Sequence, residues 1–334
     1  MFCAFCAGEG SLSDMESAIV LDGVSKRYGD KWAVRDVSAV IEAGTIVALL
    51  GPNGAGKTTA MSLMLGLARP TRGTIRILGG NPVKPATRKR IGVMLQQVSL
   101  PAKVQVRELI DLFCSYYEQP LDAKLLLEMA DLAPFARKEA VKLSGGQQRR
   151  LQFALAMAGN PQVLFLDEPT VGMDVSARRG FWEHLRATAG HEGRTIVLTT
   201  HHMEETDSIA DRVLLMQDGQ IMVDGSVEEV KLRAGNRYVS FLAGPTVTTS
   251  DVFALPAVHD VTWSGRHVRI TTYQPDTVLR AIITQNLDAK HFEISQGQLE
   301  DAFLSLMHRS DVDGSDVDGS DVDGSDASGS DTEG

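Results

Sequence analysis

Lys57 and Thr58 fall near the end of Gly51-Pro52-Asn53-Gly54-Ala55-Gly56-Lys57-Thr58-Thr59, a string that fits G-x-x-x-x-G-K-[ST] at every specified position. The chemistry of that spacing is anion handling. Glycines let backbone N–H groups turn inward and approach a phosphate closely, and the helix that follows adds partial positive charge at its N-terminus. Lys57 is expected to reach the β and γ phosphates and the Thr58 hydroxyl to bind Mg²⁺, with Gly51, Asn53, Gly54, Gly56 and Thr59 completing the cradle. A second string, Leu143-Ser144-Gly145-Gly146-Gln147-Gln148, offers a serine suited to an N-cap and two glycines that leave backbone donors uncovered. That helix start would be an unused anion site in a lone chain, so the pair of half-sites points to a dimer. A third, Val163-Leu164-Phe165-Leu166-Asp167-Glu168-Pro169-Thr170, is an apolar run ending in two acids. Asp167 is expected to serve Mg²⁺, directly or through an intervening ligand. Glu168, one residue on, projects differently and is placed to orient and polarise an attacking water.

These groups need strands and helices to hold them. Residues 45–50 read as a short buried strand and 58–67 as a helix whose apolar side carries Met61, Met64, Leu65 and Leu67. Residues 91–95, 163–167 and 194–200 read as further buried strands, and in parallel sheets ligands collect at the carboxyl ends of such strands. Helices are expected at 106–117, 121–132 and 147–158. Residues 213–216 and 221–223 flank Asp218-Gly219 as a hairpin, and Ser226 with Glu229 forms a capping box for a short helix. From Arg237 the pattern becomes strand 238–242, helix 250–255, strands 258–263 and 267–272, helix 276–285 and strand 291–294. That β-α-β-β-α-β order suggests a small α+β domain of ferredoxin-like type, followed by an amphipathic helix over 299–307.

The strings, their order and their spacing resemble the ATP-binding subunit of an ABC transporter, over residues 18–232. The fold implied is α/β: a phosphate-loop ATPase core with a helical subdomain, about residues 98–160, that carries the signature sequence at Leu143 to Gln148. By resemblance, two copies pack head to tail with ATP between the phosphate loop of one and Ser144, Gly145, Gly146 and Gln147 of the other. The resemblance further implies that Tyr28 stacks on adenine and that Gln96, preferred over its neighbour Gln97, senses Mg²⁺ and contacts a membrane partner. It makes His201 the switch histidine at the γ-phosphate and Asp174 the acid that reaches across the dimer. The loop Val171-Gly172-Met173-Asp174 departs from the Ser-Ala-Leu-Asp of many members. It looks similar to the branch serving multidrug, antibiotic and polysaccharide exporters. The adjacent His201-His202 pair is a poor metal clamp without further ligands. Val98, Leu100 and Val104 are candidates either for a cytoplasmic helix of the transporter or for plain internal packing.

With 334 residues the chain is expected to divide: an N-terminal extension over 1–17, the ATP-binding domain over 18–235, an accessory domain over 236–309 and an acidic tail over 310–334. The first and last are expected to be disordered, and Met15 is an alternative start. No apolar run approaches the ~20 residues a spanning helix requires, so the membrane subunit is expected on a separate chain. Cys3 and Cys6 cannot by themselves complete a zinc site, and three cysteines in all fit a reducing cytoplasm. Nine of the ten net negative charges come from residues 310–334, leaving the rest near neutral, which argues against nucleic acid as a partner. The tail repeats Ser-Asp-Val-Asp-Gly without the glutamate an EF-hand loop needs, so a solvated tail is expected over a calcium site. The accessory domain reads equally as a regulator or as a stiffener of the dimer.

The sequence thus predicts an ATPase, peripheral on the cytoplasmic face of a membrane, that powers export. The alternative is a soluble ABC ATPase acting in translation or DNA repair; the single core and the lack of sustained heptads disfavour it. A phosphate-loop kinase and a non-catalytic nucleotide sensor are further rivals, disfavoured by the signature string and by the filled catalytic positions.

Overall fold

Strands that are apolar on both faces must be covered on both faces, and the runs ending at Leu50, Asp167 and Thr199 are built that way: every residue in them is buried. The computed structural model describes residues 17–96, 98–200, 202–234, 237–297 and 299–303. Residues 1–16 of the expected N-terminal extension, the acidic tail, His201, Gln97 and residues 304–307 of the expected last helix lie outside these residues, while Ser17 opens a strand. The chain runs through β1 (Ser17–Tyr28), β2 (Lys31–Glu42), β3 (Ile46–Leu50), α1 (Lys57–Met64), β4 (Arg72–Ile77), α2 (Pro85–Arg88), β5 (Ile91–Met94), α3 (Val106–Cys114), α4 (Ala123–Met129) and α5 (Gly145–Met157). It continues through β6 (Val163–Asp167), α6 (Val175–Glu192), β7 (Thr195–Thr199), α7 (Met203–Ile209), β8 (Arg212–Gln217), β9 (Gln220–Ser226) and α8 (Val227–Ala234). Within α8, between Val230 and Lys231, the chain divides into two compact units.

The first unit is built on two sheets. One has strand order β5-β6-β7-β3-β8-β9, parallel except for the edge strand β9. Its pairing brings Asp167 opposite Thr199 and sets the carboxyl ends of β5, β6, β7 and β3 side by side. The other is the antiparallel sheet β2-β1-β4, interrupted by several register shifts along β1. Between the sheets lies one apolar cluster that joins Ile19, Ile41 and Ile77 to Val47 and Phe165 through Met61, Leu63 and Met64 of α1. Burying that stripe fixes the helix whose start must meet the phosphate loop.

Helix α1 is shorter than its periodicity suggests. It stops at Met64 in a paired turn in which the N–H groups of Leu67 and Gly66 donate to the Ser62 and Leu63 carbonyls, at 2.9 and 3.0 Å. Leu67, expected on the apolar side, is thereby turned outward and stands 64% exposed. Helices α3 and α4 are likewise trimmed: α3 ends at Cys114 in turns that bond Tyr116 to Phe113 and Tyr117 to Cys114, and α4 starts only after its Asp122 cap and stops at Met129.

In the second unit β10 (Arg237–Ala243), α9 (Thr249–Phe253), β11 (Asp260–Ser264), β12 (His267–Thr272), α10 (Pro275–Thr284) and β13 (Ala289–Gln296) follow the expected β-α-β-β-α-β order. Their all-antiparallel sheet, β11-β12-β10-β13, places each helix-linked strand pair around an intervening strand, which is the ferredoxin-like arrangement. Val239, Phe241, Val268, Ile270, Val278 and Ile282 form its core. At its surface Tyr238 hydrogen-bonds Asp301; burial first, then that carboxylate, pushes the phenol up to about 12.

Candidate active site

The phosphate loop connects β3 to α1, and its geometry excludes side chains at two glycines. Gly51 and Gly56 have φ of 150° and 102°, and a Cβ at either would stand 2.3 Å from a backbone oxygen, of Met216 and Ala33 respectively. The loop is therefore packed against the chain on one side and opens its N–H groups on the other. Lys57 Nζ donates to the Gly51 and Pro52 carbonyls at 2.7 and 3.0 Å, so the ammonium folds over the loop it must serve. Burial pushes this lysine below its ordinary value, while the nearby Glu168 and Asp167 carboxylates pull it back up. A polyanion in the loop would replace the water that Lys57 has lost. Asn53, Gly54, Thr58 and Thr59 lie in the same turn and the first turn of α1.

The loop is braced by the β8–β9 hairpin. Gly219 at its tip donates from N–H to the Ala55 carbonyl at 3.0 Å and accepts from the Arg35 N–H at 2.8 Å. Its φ is +81° and an added Cβ would meet the Ala33 carbonyl oxygen at 3.0 Å. Gly219→Ala adds about 1–2 kcal/mol of backbone strain at that contact. It is expected to weaken ATP binding several-fold in a calorimetric titration. Unchanged affinity would show that the hairpin does not support the loop.

Asp167 ends β6 and is buried. The Thr199 hydroxyl on β7 donates to Asp167 Oδ1 at 2.6 Å, which fixes the carboxylate at the strand end beside the phosphate loop. The same hydroxyl accepts from the Glu168 N–H at 3.1 Å, and the Thr199 carbonyl accepts from it as well at 3.1 Å. Those bonds hold Glu168 at φ 49°, a left-handed conformation that a glutamate adopts only when its surroundings impose it. The chain turns sharply there, so the two adjacent acids leave the strand in different directions. Asp167 and the Thr58 hydroxyl supply hard oxygen donors of the kind Mg²⁺ prefers.

Ser144 is the N-cap of α5, with Ser144 Oγ accepting from the Gln147 N–H at 3.3 Å and Gln147 Oε1 accepting from the Ser144 N–H at 3.0 Å. Gly145 and Gly146 open the helix. Their added Cβ atoms would meet nothing nearer than 3.7 Å, at Gly172 and Met173. Among the described residues, nothing requires either position to lack a side chain. Asp174 is the N-cap of α6, its Oδ1 accepting from the Ala177 N–H at 2.9 Å. Tyr28 ends β1 and is 53% exposed, with Lys26 Nζ 4.9 Å from its ring centroid. Gln96 is exposed just past β5. His201, the expected switch residue after β7, lies outside the described residues.

Residues that motif reading passes over do much of the positioning. Arg149 is buried, and its guanidinium donates to the carbonyls of Leu95 at 3.1 Å and Val171 at 3.4 Å and to Gln152 Oε1 at 3.0 Å. One side chain thus joins the segment before Gln96 to the loop after Glu168. Desolvation lowers its pKa, with Asp167 and Glu168 acting against that shift. Thr199 is equally silent in the sequence, where it reads only as one more β-branched strand residue.

Comparison with known proteins agrees with this geometry. Residues 34–171 match the protein family described as ABC transporter, and residues 138–207 match a family of AAA domains. The daunorubicin resistance ATP-binding protein DrrA3 of Streptomyces coeruleorubidus is 33% identical over 304 residues, covering 87% of this chain and 96% of that protein. The Nod factor export ATP-binding protein I of Burkholderia lata is 36% identical over 295 residues, covering 86% and 95%. A solved structure described as a dimeric, post-hydrolysis state of the ATP-binding cassette MJ0796 with ADP and Pi aligns with a TM-score of 0.57 at 26% identity. It covers 62% of this chain and 98% of its own. The phosphate loop, the capped Ser-Gly-Gly helix and the paired acids at the end of β6, together with these relatives, make this chain a member of the ABC transporter family, an ATP-binding, ATP-hydrolysing subunit.

Proposed function

We propose that the chain is the motor of an exporter, hydrolysing ATP in a head-to-tail dimer of its own kind while bound to a separate integral membrane subunit on the cytoplasmic face. The observation that carries the dimer is the start of α5. Two successive glycines there have room for side chains within the chain, so their bareness is explained by a ligand arriving from outside. The names of the relatives, which speak of drug resistance and Nod factor export, support the direction of transport. Among the described residues no helix is long and apolar enough to cross a membrane, in keeping with a separate membrane chain. The domain division, with an ATP-binding domain over 18–235 and an accessory domain over 236–309, belongs to the same reading.

In this mechanism the residues of one copy bind and those of the other complete the site. The phosphate loop N–H groups and Lys57 hold the phosphates, and Tyr28 offers its exposed ring to adenine. Thr58, Asp167 and Gln96 would hold Mg²⁺, which supplies charge neutralisation at the phosphates. Glu168 takes the role of water-orienting base. His201 is assigned to the γ-phosphate. Ser144, Gly145, Gly146 and Gln147 of the facing copy present a helix N-terminus, and Asp174 lies one loop away from that junction. Positioning and electrostatics, not covalent chemistry, supply the acceleration.

The test is recovery of the full-length protein from detergent-solubilised membranes with ATP and vanadate. A co-purifying polytopic membrane protein is the expected result. Recovery of ribosomes or repair factors instead, with ATPase activity intact, would sink the exporter reading.

A further inference from the structure

The loop Val171–Asp174 is held by side chains from three elements. Arg149 on α5 donates to the Val171 carbonyl at 3.4 Å. Arg178 on α6 donates to the Met173 carbonyl, also at 3.4 Å. The third anchor comes from α7. Glu205 Oε2 accepts from the Thr170 hydroxyl at 3.0 Å, and Glu205 Oε1 stands 3.1 Å from Arg178 Nη1. A single carboxylate therefore grips both sides of the loop, Thr170 at its entry and, through Arg178, Met173 near its exit.

The burial of this cluster is what gives it consequence. Thr170 is 1% exposed and the Glu205 side chain 10%. An acid in the first turn of a helix is ordinarily a solvated partner of the helix dipole. Glu205 is instead turned into the protein, where its carboxylate has one hydrogen-bond donor, the Thr170 hydroxyl, and one ion-pair partner, Arg178, and losing either leaves a buried polar group uncompensated. Thr170 is two residues beyond Glu168, and Asp174 caps α6 four residues further on. A shift of α7 must therefore be felt at both acids.

The geometry points to Glu205 as a positioning residue for ATP hydrolysis. Through Thr170 and Arg178 it sets the register between α7 and the segment running from Glu168 to Asp174. The inference rests on the reading of Glu168 and Asp174 as members of the hydrolytic site. It adds a residue that belongs to none of the recognised strings and that need not touch nucleotide.

The experiment uses the full chain and three readouts: kcat at saturating ATP, KM for ATP, and Tm. Thr170→Val keeps the shape and removes the donor; Glu205→Gln keeps an acceptor for Thr170 and loses the charge facing Arg178. Both are expected to lower kcat, by about tenfold for Thr170→Val, because small misplacements of positioned groups are costly. KM should stay within about twofold, since ground-state binding of nucleotide is not touched. Thr170→Ser, which restores the hydroxyl, should restore kcat. The double variant Glu205→Ala/Thr170→Val should be no worse than Glu205→Ala alone, the signature of one shared interaction. A lowered Tm with full kcat in the folded protein would assign the cluster to stability alone and overturn the inference, as would additive losses. Glu168→Gln in the same assay separates the two levels. If it turns over normally, the reading of the site falls. If it is inactive while Thr170→Val and Glu205→Gln retain full kcat, only the role of Glu205 falls.

Discussion

Glu168→Gln is expected to lower ATP turnover by ~10²–10⁴-fold, the range that a positioned general base contributes. ATP affinity should hardly change if, as proposed, the phosphate loop and Lys57 grip the nucleotide, since the bonds of Lys57 to the Gly51 and Pro52 carbonyls remain. The backbone of residue 168 is held by its N–H, which donates to the Thr199 carbonyl and hydroxyl, and those bonds are indifferent to the side chain. The left-handed turn at φ 49° should therefore persist with glutamine in place. What is lost is the carboxylate that would orient and polarise water. If closure of the dimer precedes hydrolysis, the variant should accumulate as an ATP-bound dimer. Steady-state phosphate release and size-exclusion chromatography with and without ATP read the two effects. A variant retaining near-normal turnover would remove Glu168 from the role of base.

Gly146→Asp should have opposite signs on fold and function. Inside the chain an added Cβ at position 146 meets only Met173, at 3.8 Å, an ordinary van der Waals contact. The site is the second residue of α5, and an acid in a helix's first turn is favourable by about 0.3–1 kcal/mol. Tm is thus expected to hold or rise. In the proposed head-to-tail dimer, however, the new carboxylate would stand where a triphosphate approaches backbone donors. Losing one such donor to a developing charge costs on the order of 10²–10³ in kcat, and like-charge repulsion adds to it. The variant's own phosphate loop is intact, so ATP titration should give a normal affinity while turnover collapses. Normal turnover would mean that the Ser-Gly-Gly helix start takes no part in the site. Loss of Tm would mean that its glycines serve the fold after all.

The folds of both units were legible to different degrees. In the second unit the six expected elements from β10 to β13 are present, with ends shifted by a few residues, because β10, β11 and β12 alternate and α9 carries a recognisable cap, Thr248 with Asp251; the helix expected over 299–307 lies partly outside the described residues. In the first unit the local patterning does not predict the antiparallel sheet β2-β1-β4. Its signal exists, in the alternation of Val37, Ala39 and Ile41 and of Ile75 and Ile77, all buried. Yet β1 is broken by register shifts between Leu21 and Val24 and again between Val24 and Lys26, and each one defeats a reading that depends on a period of two. Leu67 was misplaced for a related reason. The heptad-like spacing continued past the turn at Gly66 that ends the helix.

From its sequence alone this protein determines where a glycine loop of phosphate-binding type lies, where a helix start is left bare and which strand ends in acids. Each of those features is a property of a few consecutive residues: glycines that permit a turn, a serine that caps, an apolar run that must be buried on both faces. The tertiary structure alone decides what holds them in place. Thr199 meets Asp167 and Glu168 because β6 and β7 are neighbours in register. Arg149 reaches Leu95 and Val171, and Glu205 reaches Thr170 and Arg178, across 54, 22, 35 and 27 positions of chain. Such contacts leave no trace in local spacing, since an arginine or glutamate on a helix is written the same way whether it faces water or a buried loop. Only the packing of α5, α6 and α7 around one segment removes them from solvent and gives them directional partners.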